Sequence, residues 1–300
     1  MESIFFSVVI PTFNQAEYLK KALQSVVSQS YDNFEIIVID NFSSDKTQKI
    51  VEEFHNNKII YKKINNYGVI GKSRNEGIKF SQGNWVAFLD SDDLWYPNRL
   101  SVILDFLKKN DYFDVICNDE LVIDIVRNRK KIWKYGPFNG DFYRHLLERG
   151  NCLCTSATIV KKKFLHEHNI LFNEEKSFVT AEDYEFFMNL ANSRAKFKFL
   201  HQALGERLLH NNSNSANYQL HNAALMSVVK HHVFNVQKFS EHKEKLWNTL
   251  KVNLYFKEAI HLFLYQKKYI RSLSSLIKIF LSSPLHISFL VLNKLKKFIF

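Results

Sequence analysis

Three cysteines, Cys117, Cys152 and Cys154, are all that 300 residues contain. They are too few for a disulfide framework, and their Cys-x-Cys spacing lacks the second ligand cluster a zinc site needs, so the chain reads as one suited to a reducing compartment. Four prolines and eight glycines exclude collagen-like repeats and long flexible linkers. No apolar run has the length and purity of a membrane span. The best stretch, residues 279–293, lacks Lys and Arg for 15 positions but is broken by Pro284, His286 and three serines. The first residues carry no basic segment ahead of an apolar run, and Val8-Val9-Ile10-Pro11 reads as an opening strand rather than a signal peptide.

What is present is a globular composition, 46% hydrophobic and 24% charged, enough to bury a substantial core. The net charge of +11 is unevenly spread. From Lys230 onward, 13 Lys and Arg face three acids, so ten of the eleven net charges lie in the last quarter.

The first 120 residues alternate β-branched runs with amphipathic stretches, the pattern of an α/β domain whose sheet is covered by helices. Ser7–Ile10, Glu35–Ile39, Lys58–Tyr61 and Trp85–Leu89 read as strands. Asn14-x-x-Glu17 reads as a capping box ahead of a helix carrying Leu19, Leu23 and Val26, and Ser44 or Asp45 as the cap of the next. Further helices are expected over roughly Gly71–Phe80, after Pro97, over about Asp183–Ala191, and from about Asn217. Val115–Cys117, Leu121–Ile123 and Thr155–Val160 look like strands, Arg127–Lys134 like a loop or edge, and residues 222–300 read as helices only.

Asp40 and Asp90 end two of these strands, where open α/β sheets bind ligands. Asp90-Ser91-Asp92-Asp93 follows a buried apolar strand directly, and two carboxylates so spaced suit a divalent cation and the phosphates it bridges.

Four ordered segments carry a resemblance: Val8-Val9-Ile10-Pro11-Thr12-x-Asn14, Ile39-Asp40-Asn41-x-Ser43-x-Asp45-x-Thr47, Ser73-Arg74-Asn75-x-Gly77-Ile78 and Phe88-Leu89-Asp90-Ser91-Asp92-Asp93. Together the chain resembles the inverting glycosyltransferase family 2 of bacterial polysaccharide and O-antigen type. Residues 4–110 carry the closest likeness and Ala181–Ser215 a weaker one.

The resemblance implies an α/β GT-A fold, a mostly parallel nucleotide-sugar-binding sheet flanked by helices, with a basic helical C-terminal extension. It divides the chain into a glycosyltransferase domain over residues 1–216, with a nucleotide-binding half 1–110 and an acceptor-binding half 111–216, and a helical region 217–300. It further implies that Pro11, Thr12 and Asn14 line the nucleotide pocket and that Asp40 accepts from the uracil or ribose. Arg74 and Asn75 would face the phosphates and donor sugar, and Asp90 with Ser91 would orient the ribose or donor. Asp92 would ligate Mn²⁺ or Mg²⁺. Asp93 is either a further acceptor or a helix cap. Glu182-Asp183 matches the later acidic pair, with Asp183 as general base and Glu182 fixing the loop and the acceptor.

His210 resembles the histidine of a late loop that closes over the diphosphate. The chain departs from the family pattern here, because Leu208 stands where an Arg is usual, with Arg207 one position earlier. The Gly-Gly-Phe-Asp segment ahead of the acidic pair is also replaced, by residues 168–174. Trp133 and Tyr135 are candidates for stacking on a sugar.

Lys267, Lys268, Arg271 and Lys278 precede the apolar stretch of the tail, and Lys294, Lys296 and Lys297 follow it, as in an amphipathic segment lying on an anionic bilayer, the alternatives being a helix packed on its own domain or a contact with a partner protein. The resemblance, taken with this tail, implies sugar transfer from a UDP-sugar to a polyprenyl-diphosphate-linked saccharide in O-antigen or capsule assembly, at the inner face of the cell membrane and without nucleic acid. A nucleotidylyltransferase would need a Gly-rich basic segment after the first strand, where Pro11-Thr12-Phe13-Asn14-Gln15 stands instead. A nucleotide-sugar-binding protein without turnover is the other alternative.

Overall fold

The computed structural model describes residues 3–136, 138, 140–210, 217–264 and 266–282. The first strands are β1 (Phe6–Thr12) and β2 (Phe34–Asp40), in which every residue is buried. Strands apolar on both faces must lie centrally with helices above and below. α1 (Ala16–Val27) provides one cover, setting Leu19, Ala22, Leu23 and Val26 against Val8, Ile10, Ile36 and Val38. Full burial of each such aliphatic side chain contributes about 1.5–3 kcal/mol, so a charged residue at Leu23 would break the layer.

The chain continues through α2 (Thr47–Glu53), β3 (Ile59–Lys63), α3 (Ile70–Phe80), β4 (Trp85–Phe88), the short β5 (Leu94–Trp95) and α4 (Arg99–Leu107). α3 lies on β1 so closely that a Cβ on Gly77 would fall 2.2 Å from Val9 Cγ1. Only glycine fits that approach.

β6 (Val115–Asp124), β7 (Arg129–Trp133), α5 (Phe142–Arg149), β8 (Thr158–Lys161), α6 (Lys162–Glu167), α7 (Glu182–Asn192) and β9 (Phe197–Leu209) complete the first unit. The sheet runs β3-β2-β1-β4-β8-β6-β9-β5, with β7 added to β6. β1, β2, β3 and β4 are mutually parallel, whereas β8 enters antiparallel between β4 and β6. The sheet is thus mixed, and its parallel part is the half that carries the strand-end carboxylates.

Several local expectations are corrected. Asn14 does not cap α1: it has a left-handed backbone (φ 49°), and its Oδ1 accepts from Ser44 N at 2.8 Å. Asp45 serves both helices instead, accepting from Ala16 N at 2.9 Å and from Thr47 N at 3.0 Å. Val115–Cys117 and Leu121–Ile123 belong to one strand, while Arg127–Lys134, read as a loop or edge, does contain an edge strand, β7. The 13-residue β9 had no counterpart in the sequence reading.

The chain divides into two compact units, Met1–Asn217 and Tyr218–Phe300. The described part of the second holds α8 (Tyr218–His231), a π-helical turn (His232–Val236), α9 (Lys243–Leu264) and α10 (Tyr269–Ser282). α10 packs on α9 through small polar groups: Ser272 Oγ donates to Ala259 O at 2.9 Å and Ser275 Oγ to Glu258 Oε2 at 3.0 Å. Its Ile270, Leu273, Ile277 and Phe280 are left exposed. Residues 283–300, with Lys294, Lys296 and Lys297, lie outside the described residues. No helix among the described residues is long and apolar enough to cross a membrane.

Candidate active site

Parallel pairing sets Thr12 of β1 beside Asp40 of β2, and β4 ends next to β1, so the segments after all three strands meet at one sheet edge. A cleft of about 480 Å³ opens there. Pro11, Thr12, Asn14, Arg74, Asp90, Ser91, Asp92, Asp93, Glu182, Asp183 and His210 all line it.

Arg74 ties the two halves together. Its Nη2 donates to Asp90 Oδ1 at 2.8 Å and its Nη1 to Glu182 Oε1 at 2.7 Å, with the Arg74 side chain only 4% exposed. Burial alone would lower the guanidinium's pKa, but the charges of Asp90 and Glu182 outweigh it and raise the pKa further. Arg74 Nε and Glu182 Oε2 are buried with no partner among the described residues.

The acidic turn after β4 is braced from β8's approach. Thr155 Oγ1 donates to Asp90 Oδ2 at 3.1 Å, and Ser156 Oγ accepts from Asp90 N at 3.0 Å while donating to Asp93 Oδ2 at 2.6 Å. Leu208 N donates to Asp93 Oδ1 at 2.9 Å, which fastens the end of β9 to the same turn. Burial, and then the neighbouring Asp92 charge, holds the Asp93 carboxyl well above the usual range.

His210, directly after β9, reaches Asp92: its Nε2 lies 2.9 Å from Asp92 Oδ2, and its ring stacks on Tyr18 at 5.1 Å between centroids. Burial, followed by the charge of Asp90, pushes the Asp92 carboxyl above its usual range, and His210 partly offsets this. Ser91 Oγ donates to Gln15 Oε1, anchoring the turn to the start of α1. Asp183 is half-buried in the first turn of α7; its Oδ1 accepts from Tyr184 N at 2.7 Å and its Oδ2 from Asn151 Nδ2 at 3.2 Å.

Four expected site residues stand apart from this lining. Asp40 is fully buried, and its carboxylate is already engaged, by Ser43 N at 3.0 Å, Ser43 Oγ at 2.5 Å and Tyr61 OH at 2.5 Å. It is not among the residues that line the cleft. Asn75 Nδ2 donates to Phe172 O at 2.9 Å and its Oδ1 accepts from Phe172 N at 2.8 Å, so it staples α3 to the segment before α7. Trp133 lies exposed on β7 and does not line the cleft, while Tyr135 is buried with its OH donating to Glu120 Oε2 at 2.9 Å.

Sequence reasoning missed Gln15 and Thr155, which line the cleft, and Ser156, which braces its acidic turn, and treated Arg207, which also lines the cleft, only as a departure. The one available signal was the polar run Thr155-Ser156 opening an otherwise apolar strand segment. Among the described residues, no group of three or more His, Cys, Asp or Glu side chains is arranged to hold a metal ion by itself.

Residues 7–168 match the model of the family described as Glycosyl transferase family 2. The chain is 30% identical over 192 residues to UDP-Glc:alpha-D-GlcNAc-diphosphoundecaprenol beta-1,3-glucosyltransferase WfgD of Escherichia coli, covering 63% of this chain and 71% of that protein. Among solved structures it is similar to S. aureus TarS residues 1–349 in complex with UDP, with a TM-score of 0.62 at 23% identity over 92% of this chain and 81% of that one. The mannosyltransferase PcManGT from Pyrobaculum calidifontis, in complex with GDP-Man and Mn²⁺, gives a TM-score of 0.62 at 13% identity over 100% of this chain and 82% of that one. These likenesses support a GT-A-like fold.

Proposed function

The chain belongs to glycosyl transferase family 2, and on that footing we propose that it transfers one sugar, with inversion, from a UDP-sugar to a hydroxyl of a polyprenyl-diphosphate-linked saccharide. The setting we propose is bacterial surface polysaccharide assembly, O-antigen or capsule, at the inner face of the cell membrane. The observation that carries this reading is the joining, within one cleft, of a strand-end Asp90-Ser91-Asp92 turn and a separate carboxylate, Asp183, at a helix start. Similarity to WfgD supports the lipid-linked acceptor, and similarity to UDP-bound TarS supports the UDP donor.

In this reading Pro11, Thr12 and Asn14 border the nucleotide, and Asp90 with Ser91 orients the ribose or donor sugar. Asp183 takes the proton of the acceptor hydroxyl as that oxygen attacks C1 from the face opposite the nucleotide. The C1–O bond to the diphosphate breaks and UDP leaves with the bonding electrons. Arg74 and Glu182 fix the distance between the donor turn and the base helix. Asp40 and Asn75 act through the loops they hold, not by touching the donor.

A divalent cation, Mn²⁺ or Mg²⁺, fits the donor set. Asp92 is held above its usual pKa by burial and by Asp90, which a cation would relieve, and a site of one or two carboxylates is the usual protein share when substrate phosphates complete the shell. Asp92, with Asp90 beside it, would hold the ion. When bound it supplies positive charge against the diphosphate leaving group.

The outward apolar face of α10, with Lys267, Lys268, Arg271 and Lys278, supports peripheral attachment to an anionic bilayer. The test is a screen of nucleotide sugars for transfer to a synthetic lipid-diphosphate sugar, with the anomeric configuration of the product read by NMR. Nucleotide binding without product would leave a binding protein, and retention of configuration would remove the proposed role of Asp183.

A further inference from the structure

β6 and β7 form an antiparallel hairpin at the margin of the sheet, paired from Glu120↔Trp133 to Asp124↔Arg129, and all five residues of β7 are exposed. Residues 127–134 hold five basic side chains, Arg127, Arg129, Lys130, Lys131 and Lys134, and no acid. Arg127 pairs with Asp124 at 3.2 Å. None of the ion pairs among the described residues takes up the other four.

Charge on an edge strand has an ordinary purpose, to keep other strands from pairing with it. That purpose does not account for the apolar side chains beside the charges. Ile125, Val126, Ile132 and Trp133 are 55%, 59%, 52% and 50% exposed. Bulky apolar groups interleaved with cations match the headgroup region of an anionic bilayer, where an indole sits at the boundary and each nearby cation is attracted. They do not match a purely polar, soluble partner.

The hairpin's place in the sheet adds a reason. β6 runs parallel to β9 and pairs Asp124 with Leu209, and Ile125 N donates to Leu209 O at 3.1 Å. The tip of the hairpin therefore adjoins the end of β9, from which His210 enters the cleft.

We infer that the β6–β7 hairpin is a membrane-docking element of the catalytic unit, binding anionic lipid headgroups through Arg129, Lys130, Lys131 and Lys134 and seating at the interface Trp133, which shares its strand face with Arg129 and Lys131. The inference is independent of the tail and goes beyond the proposed reaction.

The full-length chain is used throughout. Partition is measured onto vesicles of phosphatidylcholine alone and of phosphatidylcholine with phosphatidylglycerol, for the wild type and for Lys130→Glu/Lys131→Glu, with UDP affinity as the check that the cleft is intact. The double variant is expected to lose about tenfold or more in partition onto the anionic vesicles while binding UDP normally. In the wild type, lipids brominated in the upper acyl chain are expected to quench tryptophan emission, and Trp133→Phe is expected to remove most of that quenching, since Trp85 and Trp95 are buried and Trp247 is partly buried. Unchanged partition of the charge variant, or emission that brominated lipid does not quench, would overturn the inference. So would equally tight binding to soluble polyphosphate that displaces the vesicles without any quenching in their presence, which would make the hairpin a general polyanion site.

Discussion

Arg74 donates through Nη1 to Glu182 Oε1 at 2.7 Å across 108 positions of sequence, and the same guanidinium donates to Asp90. One buried cation thus joins the acidic turn after β4 to the first turn of the helix that carries Asp183. Removing one partner from a buried pair leaves the other charge uncompensated, which costs far more than the pair contributes. Glu182→Ala is therefore expected to destabilise the protein by about 3–5 kcal/mol, and Glu182→Gln, which keeps an acceptor, by less. Chemical denaturation of the two variants beside the wild type checks this; an Ala variant with an unchanged midpoint would show that Arg74 is held by Asp90 alone.

Glu185, one turn into α7, predicts a pH effect of opposite sense to the usual carboxylate. Burial pushes its carboxyl up to about 7, against which hydrogen bonds from Asn189 and Asn173 act only in part, and its Oε2 has no partner among the described residues. A group whose folded pKa is raised favours folding in its protonated form, so stability is retained below the unfolded value of about 4.5 and lost as pH rises toward 7. Glu185→Gln should match the wild type near pH 5 and exceed it at pH 8, by roughly 2–3 kcal/mol at most. Denaturation midpoints at the two pH values decide it, and a variant less stable at pH 8 would contradict the assignment.

Asp183→Asn is expected to lower turnover by about 10²- to 10⁴-fold while leaving UDP affinity within a few-fold, because the proposed role arises only as the acceptor proton moves. Steady-state kinetics with a calorimetric UDP titration separates the two quantities. Equal losses in both would make Asp183 a residue that holds the loop through Asn151.

Removal of residues 276–300 is expected to release the protein from anionic vesicles to a large extent while preserving transfer to a water-soluble acceptor. The excess positive charge lies from Lys230 onward, whereas among the described residues those lining the cleft all precede Asn211. Raised salt should weaken binding of the full chain without abolishing it, since the apolar face of α10 is not screened. Equal sedimentation of full-length and truncated chains at both salt levels would remove the tail from the account.

The parts of this structure that were legible in sequence are those written in local pattern. β1, β2 and β4 are apolar on both faces because they lie under helices on both sides, and that burial leaves unbroken runs such as Val8-Val9-Ile10 and Ile36-Ile37-Val38-Ile39. β9 was invisible for the converse reason. Lys198, His201, Gln202, Glu206 and Arg207 interrupt it, and most of its positions are only partly buried, so neither a period nor a run marks it.

The site divides in the same way. Asp90, Asp92, Asp183 and His210 were named from sequence and do line one cleft. Asp40 and Asn75 were named as well, but what each side chain faces is decided by partners far along the chain: Tyr61 closes over Asp40, and Phe172 occupies both ends of the Asn75 amide. Thr155 and Ser156 lie 65 and 66 positions from Asp90, and only the pairing of β4 with β8 brings them to it.

The central claim is that the turn at Asp92 makes this cleft a metal-assisted UDP-sugar site, and calorimetric titration of UDP tests it most directly. Wild type and Asp92→Ala are compared in the presence of Mn²⁺ and of a chelator. The account predicts UDP binding in the wild type that weakens strongly on chelation, and binding in the variant that is weak and indifferent to the metal while the fold persists. Metal-dependent UDP affinity of equal strength in both proteins would contradict it.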